Sequence, residues 1–259
     1  MTVERERIAK RLARAGLCSR REAEAWVADR RVRVNGAVLT TPAVTVGPGD
    51  LILVDGKPLP EAERTRLWRY HKPSGLVTTE RDPQGRPTVF EKLPAELPRV
   101  VSVGRLDLTS EGLLLLTNDG ELARFLGHPS TGWPRRYRVR VHGEVSEQRL
   151  AALAKGVTVA GIRYGPIEAA LDRTQGANAW LTMTLREGRN REVRKVLESL
   201  DLTVTRLIRV SFGPFHLGVL PRGAVDEIKG KVLREQAPRF FADHEPKQRP
   251  DAETRRRPA

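Results

Sequence analysis

Val103-Gly104-Arg105-Leu106-Asp107-Leu108-Thr109-Ser110-Glu111-Gly112-Leu113-Leu114-Leu115-Leu116-Thr117-Asn118-Asp119-Gly120 contains four consecutive leucines with one acid, Asp107, just ahead of them. Successive side chains of a strand point to opposite faces, so an uninterrupted apolar run predicts a strand buried on both. Such a strand needs a packed layer above and below it. An acid beside that core has to be neutralised, paired with a cation or used for chemistry. Cations are plentiful, with 46 Lys and Arg against 32 Asp and Glu and a net charge of +14. From spacing alone, Asp107 fits two roles equally: a reacting group in the loop after a strand, or an Asx turn or helix cap.

Outward from this stretch, strands are predicted over 67–70, 100–103, 113–117, 137–141, 180–185 and 204–210. Helices are predicted over 121–126, 146–154, 191–200 and 224–233. Strands dominate without strict alternation, which predicts an α+β domain with a mixed or antiparallel sheet over 67–235. A proline-containing, mixed-charge linker covers 61–66. A small module occupies 1–60, and 236–259, rich in Arg, Pro and Glu, is expected to be a disordered basic tail. In the small module Ile8, Leu12 and Ala15 mark one helical face, with Gly16 as its C-terminal cap. Ser19-Arg20-Arg21-Glu22 fits a capping box for a second helix. Val32-Arg33-Val34, Asn35-Gly36 and Ala37-Val38-Leu39 form a hairpin signal, followed by a strand over 51–54.

The apolar fraction, 39%, is that of a globular chain. No apolar run approaches the length of a membrane span, and the N-terminus lacks a secretory core, so a cytoplasmic protein is expected. Cys18 is the only cysteine, which excludes an intramolecular disulfide and a thiolate zinc cluster. The five histidines form no convincing metal pair, and no Walker loop, Rossmann fingerprint or nucleophile elbow is present. The charge favours a polyanion partner. Without an amphipathic helix bearing aromatics opposite lysines, nucleic acid is favoured over membrane.

Two further segments are candidates for a site. In Arg136-Tyr137-Arg138-Val139-Arg140-Val141, alternation sets Tyr137 with the valines and against the arginines. Tyr137 is either a core tyrosine or a stacking platform for a base. In 186–200, Asn190 is placed to cap a helix whose apolar stripe is Val193, Val196, Leu197 and Leu200. Arg194 borders that stripe, where it could reach a semi-buried carboxylate, while Arg191 and Lys195 point away.

Gly104-Arg105-Leu106-Asp107, continued by Thr109, Gly112 and 113–120, resembles the catalytic motif of pseudouridine synthases, in particular the branch that modifies bacterial ribosomal RNA. His71-Lys72-Pro73-Ser74-Gly75 with 76–79, Tyr137-Arg138-Val139, Arg194 and 205–213 resemble the other motifs of that family in the same order. Within the family, the full-length pattern is most similar to the pseudouridine synthase B group, whose members act on large-subunit RNA. The first sixty residues resemble the S-four RNA-binding domain through Arg11-Leu12, Ala15-Gly16, 19–23 and 33–36. The resemblance implies a catalytic Asp107 with no cofactor and no metal. Asp107 would act as a nucleophile or as a base toward the ribose. Tyr137 would stack on the base, Arg194 would pair with Asp107, Leu207 would pack in the pocket, and Arg105 would enter the RNA stack where the target leaves. Arg11, Arg14, Arg20, Arg21, Arg33, Arg189 and Arg191 would contact RNA. The partner expected is ribosomal RNA, acted on by a monomer. A relative acting on small-subunit RNA, or a non-catalytic RNA-binding assembly protein, is the competing expectation.

Overall fold

The computed structural model describes residues 5–244. The leucine run lies in the Ser110–Thr117 strand, every residue of which is buried. Leu114 and Leu116 enter one core with Trp68, Tyr70, Val139 and Val141. Leu113 and Leu115 enter the other with Leu122, Leu126 and Phe212. The period of two thus places one strand between two cores.

That strand belongs to a large mixed sheet. In spatial order its strands are Ile167–Gln175, Asn178–Leu185, Arg135–His142, Thr203–Phe212, Ser110–Thr117, Leu67–Lys72 and Val225–Ile228. Neighbours on this path are antiparallel, except that Thr203–Phe212 runs parallel to Ser110–Thr117, with Leu207 opposite Ser110 and Arg209 opposite Gly112. Gly112 permits this approach: its φ is +102°, and a Cβ there would lie 2.3 Å from the Arg209 carbonyl oxygen. Val101–Val103 adds to Ser110–Thr117, and Phe215–His216 to Thr203–Phe212. Gly120–Gly127, Glu147–Ala152 and Glu192–Glu198 are helices that match predicted segments. This is the α+β architecture expected.

Two expectations are corrected. The segment predicted as a helix over 224–233 instead forms the Val225–Ile228 strand, and its helix begins only at Gly230. Val225 pairs with Tyr70 and Ile228 with Leu67, so pairing with a strand far earlier in the chain overrides local helix propensity. The tail expected to be disordered from 236 forms a helix over Pro238–His244, because Phe240 is buried in the second core. The rest of that tail, 245–259, lies outside the described residues.

The small module packs Ile8–Arg14 and Arg20–Ala28 against short strands around Ile8, Leu12, Ala23, Val27, Val32 and Ile52. The capping box is complete: Ser19 Oγ accepts from Glu22 N (3.1 Å) and Glu22 Oε2 from Ser19 N (2.8 Å). Asn35-Gly36 and Asp55-Gly56 both adopt positive φ, as two-residue hairpin turns require. Lys10 Nζ bonds Glu121 Oε1 at 2.6 Å, linking the module to the Gly120–Gly127 helix. Among the described residues no helix is long and apolar enough to cross a membrane.

Candidate active site

A cleft of ≈290 Å³ opens where the 104–107 loop meets the Arg135–His142 and Thr203–Phe212 strands and the start of the Glu192–Glu198 helix. Asp107, Tyr137, Leu207, Arg105, Arg189 and Arg191 all line it. Tyr137 and Leu207 are buried on the inner faces of their strands. Arg105, Arg189 and Arg191 are exposed, and Arg189 Nε also bonds Glu187 at 2.9 Å.

The loop carrying Asp107 is clamped from beneath. Lys72, fully buried, directs its ammonium to the carbonyls of Pro73 (3.0 Å), Asp107 (3.2 Å) and Ser110 (2.9 Å). Gly75 N bonds Leu108 O at 2.8 Å, and Thr78 Oγ bonds Leu106 O at 2.8 Å. The 71–79 segment is therefore the seat of the acid's loop. Burial pushes the Lys72 ammonium down to about 8, with Asp107 and Glu111 opposing the shift.

Arg194 is buried below the same loop, but the direct pair with Asp107 that the resemblance implied is not formed. Its Nη2 donates to Thr109 O and its Nη1 to Val204 O, both at 3.2 Å. The loop carbonyl has taken the position facing the guanidinium. Burial lowers the Arg194 pKa, Arg191 adds to this, and Asp107 opposes it. Asp107 thus shares its surroundings with two buried cations, while its carboxylate makes no ion pair or hydrogen bond among the described residues. Glu111, four positions on, is different: Arg206 binds it at 2.8 and 3.0 Å and Arg222 at 3.0 Å.

Asn190 does not cap the helix. The capping position falls to Arg191, at φ 52°, with no side-chain cap. Glu192, the first helical residue, folds back onto the preceding turn, its Oε2 accepting from Arg189 N at 3.0 Å. Glu192 is buried, and desolvation raises its pKa against the pull of the Arg189 N–H. Arg135 and Arg209 are also buried in the cleft wall, 4.8 and 5.3 Å over the Phe212 ring. Burial depresses the Arg135 pKa. Sequence reasoning gave no role to Lys72, Arg135, Glu192 or Arg209. Strand parity was the available signal for two of them, since Arg135 shares a face with Tyr137, and Arg209 with Leu207.

Of the module's arginines, Arg20, Arg21 and Arg33 are exposed and make no ion pair or hydrogen bond among the described residues. Arg11 and Arg14 approach Glu6 at 3.6 and 3.5 Å.

A basic module joined to an arginine-rimmed cleft with an uncommitted acid is the build of an enzyme that works on RNA. The family model described as RNA pseudouridylate synthase matches residues 66–199, and the S4 domain model matches 6–58. An uncharacterized RNA pseudouridine synthase of Rickettsia felis is 44% identical over 89% of this chain and 100% of its own length. A ribosomal large subunit pseudouridine synthase B of Pasteurella multocida is 45% identical over 87% of this chain and 68% of its own. A crystal structure of a pseudouridylate synthase superposes with a TM-score of 0.62 at 26% identity, covering 89% of this chain and 98% of that one. The chain belongs to the RNA pseudouridylate synthase family and carries an N-terminal S4 domain. It is a pseudouridine synthase acting on RNA.

Proposed function

We propose that the chain isomerises a uridine of large-subunit ribosomal RNA, with Asp107 acting on the target nucleoside. The observation that carries this is the position of Asp107: it lines the cleft on a loop seated on the buried Lys72, and its carboxylate makes no hydrogen bond or ion pair among the described residues. The substrate class follows the name of the Pasteurella relative.

In the isomerisation the bond from ribose C1′ to uracil N1 breaks and a bond from C1′ to C5 forms. The proton on C5 leaves and N1 gains one, so no electrons are exchanged. The target must first leave its stack, at a cost of a few kcal/mol. Arg105 at the cleft mouth fills the gap, where a planar guanidinium stacks on bases and binds phosphate. Tyr137 holds one face of the base and Leu207 packs beside it. Asp107 serves as nucleophile or as base toward the ribose, and both routes need its carboxylate. The S4 domain's Arg20, Arg21 and Arg33 hold phosphates at a distance from the reaction.

Tritium release from ribosomal RNA carrying C5-labelled uridine tests this. Wild type is expected to release tritium from large-subunit RNA, and Asp107→Asn to release none while binding RNA within about twofold of wild type. Release from small-subunit RNA alone would reassign the substrate. An active Asp107→Asn would remove Asp107 from the chemistry, and RNA binding without release by wild type would leave a binding protein.

A further inference from the structure

Two side-chain atoms in the cleft wall are buried with no protein partner: Glu192 Oε1 and Arg209 Nη2. Each residue is 3% exposed, so neither atom is satisfied by turning into bulk water. Each is also held in place by the rest of its side chain. Glu192 Oε2 is engaged by Arg189 N at 3.0 Å, and Arg209 Nε by Leu113 O at 2.8 Å, with its guanidinium over Phe212. Both residues line the cleft, and the fold itself uses neither this acceptor nor this donor. A buried polar group without a partner is costly, and a ligand, a water or an ion can supply the missing one.

We propose that Glu192 and Arg209 read the imide edge of the extruded uracil, Glu192 Oε1 accepting from N3–H and Arg209 Nη2 donating to a flanking carbonyl oxygen. This rests on the cleft being the uridine pocket proposed above. The imide edge of uracil is a donor, N3–H, between two acceptors, O2 and O4. Cytosine presents a bare N3 there, which sets acceptor against acceptor at Glu192, and a donor amino group in place of O4.

The same edge suits the reaction. To exchange N1 for C5 at the ribose, the ring turns by half a revolution about the axis through N3 and C6. That turn exchanges O2 with O4 and leaves N3–H where it was. A contact set on the imide edge therefore holds uracil equally before and after the turn. Contacts to C5 or N1 would have to break. Glu192 and Arg209 are specificity and positioning residues here, while the bond changes remain with Asp107.

The test uses the full chain. The uridine modified by wild type in transcribed ribosomal RNA is mapped first. Synthetic RNAs spanning it then carry uridine or 3-methyluridine at that position. The methyl group removes the N3 donor and leaves C5, N1 and the ribose unchanged. Wild type is expected to favour uridine by at least about 10³-fold, since a site built to bind an N–H rejects an analogue that lacks it. Glu192→Ala is expected to slow uridine turnover about 100-fold and to cut the uridine preference at least about tenfold, with RNA affinity kept. Glu192→Gln, whose amide oxygen can accept the same N–H, is expected to fall between the two.

A purely structural role would slow both substrates equally. An unchanged preference in Glu192→Ala therefore overturns the edge contact and leaves the synthase assignment standing. Equal turnover of both RNAs by wild type overturns it without any variant. No tritium release by wild type from any ribosomal RNA removes the uridine pocket itself, and the edge contact with it.

Discussion

Lys72 shows how the loop carrying Asp107 is seated on a single buried charge. The Lys72 ammonium donates to the carbonyls of Pro73, Asp107 and Ser110, so its removal takes a buried donor from each. Lys72→Met is expected to cost about 3 kcal/mol or more and to lower turnover by loosening the Asp107 loop. The pH dependence has a defined sign. Lys72 titrates near 8 in the fold and near 10.5 when unfolded. Between those values the unfolded chain binds the extra proton, so stability from this group rises with pH. The stability gap between wild type and Lys72→Met is therefore expected to widen from pH 8 to 10.5 in denaturant titrations. A flat or narrowing gap contradicts the buried cation. Nothing near Lys72 in sequence shows its burial, because the Asp107 carbonyl it binds comes from a loop 35 positions later. Glu192 is hidden in the same way, whereas strand parity with Leu207 marks Arg209.

The parallel pairing of Ser110–Thr117 with Thr203–Phe212 sets the distance between the acid's loop and the wall holding Leu207 and Arg209. Gly112 is the position that permits it. Gly112→Ala would place a methyl group 2.3 Å from the Arg209 carbonyl oxygen and 2.8 Å from its nitrogen, at φ +102°. It is expected to cost about 3 kcal/mol or more and to depress turnover further by displacing Arg209. Denaturant midpoints and tritium release check both effects, and a variant as stable and active as wild type contradicts the close approach. Elements whose signals are local were legible beforehand: the capping box at Ser19, the Asn35-Gly36 hairpin, and the leucine strand. Elements decided by distant partners were not. Val225–Ile228 is a strand only because Leu67–Lys72 lies beside it. Ile167–Gln175 went unread because it is an edge strand whose charged residues, Glu168, Asp172 and Arg173, break the apolar pattern. The Pro238–His244 helix rests on Phe240, which the second core receives. The Asp107 motif was legible through its likeness to a family, and spacing alone left its role open.

Across the molecule, charge and chemistry are divided between two regions. In the S4 domain Arg20, Arg21 and Arg33 are exposed and without ion pairs or hydrogen bonds among the described residues, while the buried Arg135 and Arg209 of the cleft wall bond internally. Arg20→Ala, Arg21→Ala and Arg33→Ala are each expected to reduce the salt dependence of RNA binding by about 0.7 in log–log slope. Turnover at saturating RNA is expected to stay unchanged. A slope equal to wild type in the triple variant contradicts that surface as the phosphate contact. Lys10 bonds Glu121 at 2.6 Å and so links the module to the Gly120–Gly127 helix of the catalytic domain. The most direct measurement is a map of pseudouridine in ribosomal RNA from a strain lacking this chain, complemented by wild type or by Asp107→Asn. Loss of pseudouridine from large-subunit RNA, restored by wild type and not by Asp107→Asn, is the result predicted. An unchanged map, or restoration by Asp107→Asn, would contradict it.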